Sequence, residues 1–226
     1  MKKAMGLVCL ILILGLLSVN VWAENDEKTT PSAAGSTAYA SPGDIPEEPF
    51  KNPFTDVKEK DYFYDAVIWA YKGGVTTGYT DTTFVPNMQC LRCQVVTFLW
   101  RAEGSPEPTS GKNPFTDVHE GDFYYKAVLW AYEKGITDGV TATEFRPKEV
   151  CKRGQIVTFI YRAKGGSINA LSTAFSDVDM SLYYGEPVAW AIEQKITRGI
   201  TATIFGPEDD CTRGQAVTLI YRAYNK

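Results

Sequence analysis

Histidine is almost missing from this sequence of 226 residues, and the common catalytic motifs are missing with it. The single histidine, His119, stands where two further copies of a repeat described below have Lys58 and Asp179, so it does not suit a catalytic base. No Gly-x-Ser-x-Gly, glycine-rich phosphate loop or metal-spaced His/Cys cluster occurs. The run from Asp177 to Ser181 begins like a calcium loop but lacks its glycine and its last carboxylate. We therefore expect no catalytic residues, no cofactor and no metal site, although a glycosidase with two carboxylates is left open because their spacing is spatial.

Basic stripes are also missing, and long apolar runs are confined to the N-terminus. The formal net charge of −4 makes nucleic acid an unsuitable partner. Residues 1–23 combine Lys2 and Lys3, an apolar run and a Val-Trp-Ala end, which predicts a signal peptide cleaved after Ala23. We expect no transmembrane segment in the mature chain. Residues 24–50 are rich in Pro, Ser, Thr and acid without any period, which predicts a flexible linker.

The rest of the chain consists of three tandem copies of one sequence unit. Phe54, Phe115 and Phe175 each open an F-[TS]-D-V run, and they lie 61 and 60 residues apart. The same intervals relate glycines, prolines and arginines further along each copy. The sequence thus predicts three repeats, at residues 51–112, 113–172 and 173–226, which bury their apolar faces against one another.

Each repeat has the pattern of two amphipathic helices joined by a loop. In the second repeat the apolar stripe of the first helix comprises Tyr124, Ala127, Val128 and Ala131, and that of the second comprises Ile156, Phe159, Ile160 and Ala163. Gly135 is expected to end the first helix, and Gly165 with Gly166 the second. The loop between them holds β-branched residues and a proline, and a short extended piece is possible there.

An arginine stands at the start of every second helix. Thr212 and Gln215 fit a capping box, which places Arg213 at the first helical position, beside unpaired backbone N–H groups. A cation there opposes the helix dipole at a cost of a few tenths of a kcal/mol. Its threefold recurrence as Arg92, Arg153 and Arg213 predicts that a free guanidinium binds a carboxylate or phosphate.

Together these motifs resemble the S-layer homology (SLH) family. The F-x-D-V opening, the aromatic first helix, the G…F-x-P loop and the T-R-x-E/Q helix start recur in that order over nearly all of residues 52–226. The resemblance implies a mainly α fold, in which three helix-loop-helix repeats pack as one pseudo-threefold unit. It also implies grooves that bind an anionic, often pyruvylated, secondary cell-wall polysaccharide through Arg92, Arg153 and Arg213.

The sequence departs from the family at several of these positions. The T-R-A-E motif reads LRCQ, KRGQ and TRGQ, so Gln94, Gln155 and Gln215 replace its acid and are expected at the helix starts beside the ligand. The usual tryptophan after F-x-D-V becomes Tyr62, Phe123 and Tyr183, which are expected mainly in packing and secondarily in stacking on sugar rings. A different set of tryptophans, Trp69, Trp130 and Trp190, is expected mainly in packing and secondarily in the grooves. Asp56, Asp117 and Asp177 are expected to cap the first helix or to tie the loop.

Cys90 and Cys93 form a CxxC pair that occurs in the first repeat only. Cys90 aligns with Cys151 and Cys211, which predicts three small buried hydrophobic residues, whereas Cys93 aligns with glycines. A thiol of lowered pKa or a local disulfide at this helix start is the less favoured alternative.

The leading hypothesis is a secreted protein of the cell wall or S-layer surface that binds wall polysaccharide non-covalently. The alternatives are a structural or protein-binding module of the envelope, and an enzyme that acts on wall glycan or thiols.

Overall fold

The computed structural model describes residues 50–168 and 172–226, so the predicted signal peptide and nearly all of the predicted linker lie outside the described residues. Six α-helices occupy this part of the chain: α1 (Tyr64–Lys72), α2 (Arg92–Ala102), α3 (Tyr125–Glu133), α4 (Arg153–Ala163), α5 (Gly185–Glu193) and α6 (Arg213–Tyr224). The extended piece considered for the loops amounts to isolated bridges, such as that between Thr141 and Glu144. No helix in the described ranges is long and apolar enough to cross a membrane.

The predicted stripes form the core of the second repeat. Ala127, Val128 and Ala131 of α3 are buried, as is Tyr124 immediately before it, and in α4 Ile156, Phe159 and Ile160 are buried. The first helix of the second repeat ends in a Schellman turn, because Gly135 takes a φ of 65° and the N–H of Ile136 donates to the carbonyl of Ala131 at 2.8 Å. The predicted stop at Gly135 is therefore confirmed.

The three repeats close into a ring. The second helices α2, α4 and α6 contact one another, and each also packs against the first helix of the next repeat: α2 with α3, α4 with α5, and α6 with α1. The last of these pairs joins the third repeat back to the first. The predicted mainly α fold, with three repeats in a pseudo-threefold unit, is confirmed.

Backbone hydrogen bonds between the three aligned cysteines close the ring at its centre. The N–H of Cys151 donates to the carbonyl of Cys90 at 2.8 Å, that of Cys211 to Cys151 at 3.1 Å, and that of Cys90 to Cys211 at 2.8 Å. None of the three side chains is exposed to solvent. The interpretation of these cysteines as small buried hydrophobic residues is confirmed.

The aspartates of the F-[TS]-D-V runs hold the loops between the helices. In the third repeat the Asp177 carboxylate accepts the N–H groups of Phe205 and Gly206 at 2.9 and 2.7 Å, and Asp56 and Asp117 make the same pair of bonds in the other repeats. Each bonded phenylalanine, Phe84, Phe145 or Phe205, is fully buried. The aspartates tie the loops, as one of their two predicted roles required.

Candidate functional site

Each repeated arginine reaches into the following repeat. The Nε of Arg92 donates to the carbonyl of Phe145 at 2.9 Å, that of Arg153 to Phe205 at 3.0 Å, and that of Arg213 to Phe84 at 2.9 Å. The accepting carbonyls belong to the loops that the aspartates hold. The arginines therefore join neighbouring repeats, a role that the sequence did not indicate.

The guanidinium groups lie deeper than expected for free ligand-binding cations. Arg92 and Arg213 are each only 3% exposed, and Arg153 is 6% exposed. Burial lowers the pKa of Arg92 and of Arg213, but a guanidinium stays charged at neutral pH. Within the described residues, the Nη2 atoms of Arg92 and Arg213 are buried and have no hydrogen-bond partner. A buried charged donor without a partner is costly, and a ligand oxygen would remove that cost.

The glutamines at the helix starts all cap the backbone. The Oε1 of Gln94, Gln155 and Gln215 accepts the N–H of the residue before the arginine at 3.0 to 3.1 Å. Only Thr212 completes the reciprocal bond through its own side chain, because Leu91 and Lys152 lack an acceptor. The glutamines are half-buried, and Gln155 and Gln215 line the grooves described next.

Two of the arginines lie at the base of inter-repeat grooves. We call the one beside Arg92 the 92 groove and the one beside Arg153 the 153 groove; their volumes are about 290 and 320 Å³. The 92 groove is also lined by Thr137, Asp138, Gly139, Val140, Gln155, Thr158, Phe159, Arg162 and Tyr183. The 153 groove is also lined by Thr197, Arg198, Gly199, Ile200, Gln215, Thr218, Leu219, Arg222 and Tyr62. The two sets correspond residue by residue, and each residue of the 153 groove lies one repeat further around the ring than its counterpart in the 92 groove.

All three repeats contribute to each groove. The 153 groove takes Arg153 from the second repeat, a loop and a face of α6 from the third, and Tyr62 from the first. The 92 groove takes Tyr183 from the third repeat in the same way. These two tyrosines are 63% and 50% exposed, so each presents an aromatic ring to solvent at a groove that holds a buried cation. Such a combination suits a ligand with an anionic group and an apolar ring face.

A tyrosine lies over the third arginine. Tyr79 stands at the position of Val140 and Ile200, and its ring centroid lies 5.9 Å from the guanidinium carbon of Arg213. The rings of Phe84 and Phe98 lie 4.6 and 5.5 Å from the same carbon. Three aromatic rings therefore surround the guanidinium group of Arg213.

The structure does not bring the tryptophans into either groove. Trp130 and Trp190 are buried, and Trp69 is half-buried against the core. Trp69 contacts Tyr221 at a centroid distance of 5.6 Å, and Trp190 contacts Tyr161 at 5.5 Å, in both cases where one repeat packs on the next. Trp69 and Trp190 therefore pack between repeats.

Sequence reasoning gave too little weight to the residues that complete the grooves. Tyr62 and Tyr183 were considered for stacking on sugar rings but were expected mainly in packing, and Arg162, Arg198 and Arg222 were not singled out. The available signal was the comparison of the repeats: the exposed aromatic position is filled in all three, and the residue before each loop glycine changes from Thr77 to Asp138 to Arg198.

The CxxC pair has no features of a reactive thiol site. Cys90 and Cys93 are buried and unpaired, and burial raises the pKa of both, that of Cys93 to about 11. A nucleophilic thiol needs the opposite shift. Across residues 50–168 and 172–226, no group of three or more His, Cys, Asp or Glu side chains could hold a metal ion.

Comparison with known proteins gives three matches to one family model, described as the S-layer homology domain, at residues 53–95, 114–157 and 174–217. An endoglucanase of Bacillus sp. (strain KSM-635) is 32% identical over 174 residues, which are 74% of this chain and 18% of that protein. A cell surface protein of Thermoanaerobacter kivui is 31% identical over 117 residues, 50% of this chain and 15% of its own length. A cellulosome-anchoring protein of Acetivibrio thermocellus is 26% identical over 141 residues, 60% of this chain and 31% of its own. The chain therefore spans less than a third of each of these relatives.

Proposed function

Because this chain belongs to the S-layer homology domain family, we propose that it attaches to the bacterial cell surface by binding an anionic secondary cell-wall polysaccharide non-covalently. The anionic group of the glycan, such as the carboxylate of a pyruvate ketal, enters a groove and meets the buried arginine at its base. The module holds the glycan and does not cleave it. Relatives named as a cell surface protein and a cellulosome-anchoring protein support this role.

The observation that carries the proposal is a buried arginine with unused donors at a groove. Arg92 uses its Nε to hold the next repeat, which fixes the plane of the guanidinium, and its Nη2 remains without a partner among the described residues. A carboxylate that accepts from the guanidinium forms charge-assisted hydrogen bonds, which contribute about 1.5–3 kcal/mol each. The geometry is prepared before the ligand arrives, so little side-chain entropy is lost on binding.

The sugar ring has its own contact surface. Tyr183 at the 92 groove and Tyr62 at the 153 groove offer exposed rings on which the apolar face of a pyranose packs. The Oε1 atoms of Gln155 and Gln215 accept the capping hydrogen bonds, which leaves their Nε2 groups to donate to sugar oxygens. Engagement of both grooves by one polymer would multiply the affinity of each.

The test is sedimentation of the protein with purified cell-wall sacculi before and after extraction of the secondary polysaccharide. We expect binding to intact walls and its loss with extracted walls. Equal sedimentation of the protein with both preparations would overturn the proposal. That result would favour the alternative of a protein-binding module.

Variants must separate binding from folding, since the arginines also join the repeats. Tyr62→Ala and Tyr183→Ala change exposed side chains, so we expect weaker wall binding with an unchanged helical circular dichroism spectrum. Leu182→Ala is the matched control, because Leu182 is 47% exposed, precedes Tyr183 and lines neither groove. Wall binding that the two tyrosine variants leave unchanged would argue against these grooves as the site.

A further inference from the structure

The two grooves differ in charge at one corresponding position. Asp138 lines the 92 groove immediately before Gly139, and Arg198 lines the 153 groove immediately before Gly199. These glycines have φ values of 88° and 81°, and an added Cβ on either would clash with a phenylalanine of the F-[TS]-D-V run. The two loops therefore share this glycine turn, whereas the charge of the residue before the glycine is reversed.

The aspartate forms an ion pair with a second arginine in the 92 groove. The Nη1 of Arg162 lies 3.4 Å from Oδ2 of Asp138 and 3.2 Å from the carbonyl oxygen of Ile136. In the 153 groove, Arg222 makes the corresponding bond to the carbonyl of Ile196 at 3.3 Å, and no carboxylate is among the lining residues. The charged side chains of the 92 groove thus sum to +1, and those of the 153 groove sum to +3.

The buried arginines also differ in how far they are enclosed. Arg92 lies between two aromatic rings, with its guanidinium carbon 4.8 Å from the centroid of Phe145 and 5.5 Å from that of Phe159. Arg153 has Phe205 at 4.8 Å, and Leu219 stands at the position of Phe159. A leucine offers no π face to the cation, so Arg153 lacks the second cation–π contact that Arg92 makes. It is also the most exposed of the three repeated arginines.

We propose that the 153 groove is the primary site for the acidic group of the glycan and that Arg198 is the residue that gives it this preference. The proposal rests on the proposed function and specifies the ligand: a glycan segment that bears a carboxylate or a phosphate. Arg153 holds the anion from below, and Arg198 and Arg222 supply charge and donors from the loop and from α6. The 92 groove binds the same group more weakly, because Asp138 repels it and occupies Arg162.

Site-resolved NMR titration of the ¹⁵N-labelled protein tests this directly. The probes are a methyl glycoside with a pyruvate ketal, its sugar-phosphate counterpart, and the uncharged parent glycoside. We expect the amides of Gly199 and Gln215 to shift at lower ligand concentration than those of Gly139 and Gln155. The Kd values of the two grooves should differ about tenfold or more, because one charge-assisted hydrogen bond changes the binding free energy by that much. The relative response to the carboxylate and the phosphate identifies which anion the groove prefers.

Two substitutions exchange the charges between the grooves. Arg198→Asp gives the 153 groove the side chain of its counterpart, and we expect its Kd for the anionic probes to rise about tenfold or more. Asp138→Arg should lower the Kd of the 92 groove. Arg198 is exposed, and the first repeat has Thr77 at the same position. Arg198→Thr therefore removes the positive charge with a side chain that this loop already accommodates.

The outcomes distinguish the two proposals. If the anionic glycosides shift no groove amide of the wild-type protein, both the proposed function and this inference are wrong. If they bind but Gly139 and Gln155 respond first, or Arg198→Asp leaves the order unchanged, the proposed function stands and the inference fails. Equal binding of the uncharged glycoside would show that charge does not select the ligand, and would also overturn the inference.

Discussion

The backbone N–H of Cys90 donates to the carbonyl of Cys211 at 2.8 Å, which joins the first repeat directly to the last. The helices also join the first repeat to the last, because α1 packs on α6 as closely as α3 packs on α2 and α5 on α4. The contacts that hold one repeat are therefore spread over both of the others.

We expect a single unfolding transition, in which a defect in the third repeat destabilises the first. Ile220 is fully buried in α6, so Ile220→Ala should lower the free energy of unfolding by about 2–5 kcal/mol. The near-ultraviolet circular dichroism, to which Trp69 against Tyr221 contributes, and the far-ultraviolet helical signal should report the same shifted midpoint. Leu182→Ala, at an exposed position, is the control. Two separated transitions would contradict a closed ring.

The buried thiols make the protein sensitive to alkali. Burial raises the pKa of Cys93 to about 11 and that of Cys211 to about 12, whereas an unfolded thiol titrates near 8.5. A pKa raised by folding gives stability that is complete below the unfolded value and is lost as pH rises through the folded value. The urea midpoint should fall between about pH 8 and about pH 10.5, with a loss of about 2–3 kcal/mol per thiol.

Cys93→Ala provides the control for this alkaline effect, because it removes one titrating thiol from a helix in which alanine is well tolerated. The pH slope of its urea midpoint should be smaller than that of the wild type. Native Cys93 should also react slowly with an aromatic disulfide reagent at about pH 8. Rapid labelling in the folded state would contradict the burial of the pair.

Replacing Lys195, which follows α5 and has a positive φ, with glycine should stabilise the chain. Lys195 has a φ of 59°, and the corresponding residues of the other repeats are Gly74 and Gly135, with φ values of 69° and 65°. Left-handed backbone costs a lysine about 1 kcal/mol relative to glycine, so Lys195→Gly should raise the free energy of unfolding by about that amount. Gly135→Lys should lower it by a similar amount, because nothing lies within 4 Å of the added Cβ and the change acts through the backbone rather than through a clash. Urea denaturation measures both changes, and a stabilising Gly135→Lys would refute the argument.

The loop carboxylates link stability to acid. Burial opposes ionisation of Asp177, but the N–H groups of Phe205 and Gly206 outweigh it and lower the pKa of the carboxyl. A lowered pKa gives stability that is present above the unfolded value of about 3.9 and is lost as pH falls through the folded value. Asp177→Asn should therefore cost about 1–2 kcal/mol at neutral pH and much less in acid.

The matched control for Asp177→Asn is Glu120→Gln, which changes an exposed acid and should leave the midpoint unchanged at both pH values. Thermal unfolding at about pH 7 and about pH 3 measures the difference. A cost for Asp177→Asn that is the same at both pH values would mean that the ionised carboxylate is not what holds the loop.

Local structure could be predicted from the sequence because its signals lie within a few residues. The stripe of α3, the turn at Gly135 and the capping box of Thr212 and Gln215 each depend on neighbours at most a few positions away. The repeats added the fold class, since three similar apolar faces must be covered by one another.

The contacts of the arginines could not be predicted, because their partners are far away in the sequence. Arg92 was expected as a free cation at a helix start, but its Nε bonds the carbonyl of Phe145 in another repeat. The tryptophans lie between repeats for the same reason. The grooves, which combine Tyr62 with Arg153 and Arg222, exist only once the ring has closed.

Ring closure also constrains how such a module can change by gene duplication. An open stack of repeats offers an outer face at each end, so a further copy can be added there. In this protein each second helix already covers the first helix of another repeat, and α6 returns to α1. A fourth copy would find no uncovered partner, so an added repeat would remain unpaired or would have to displace an existing one.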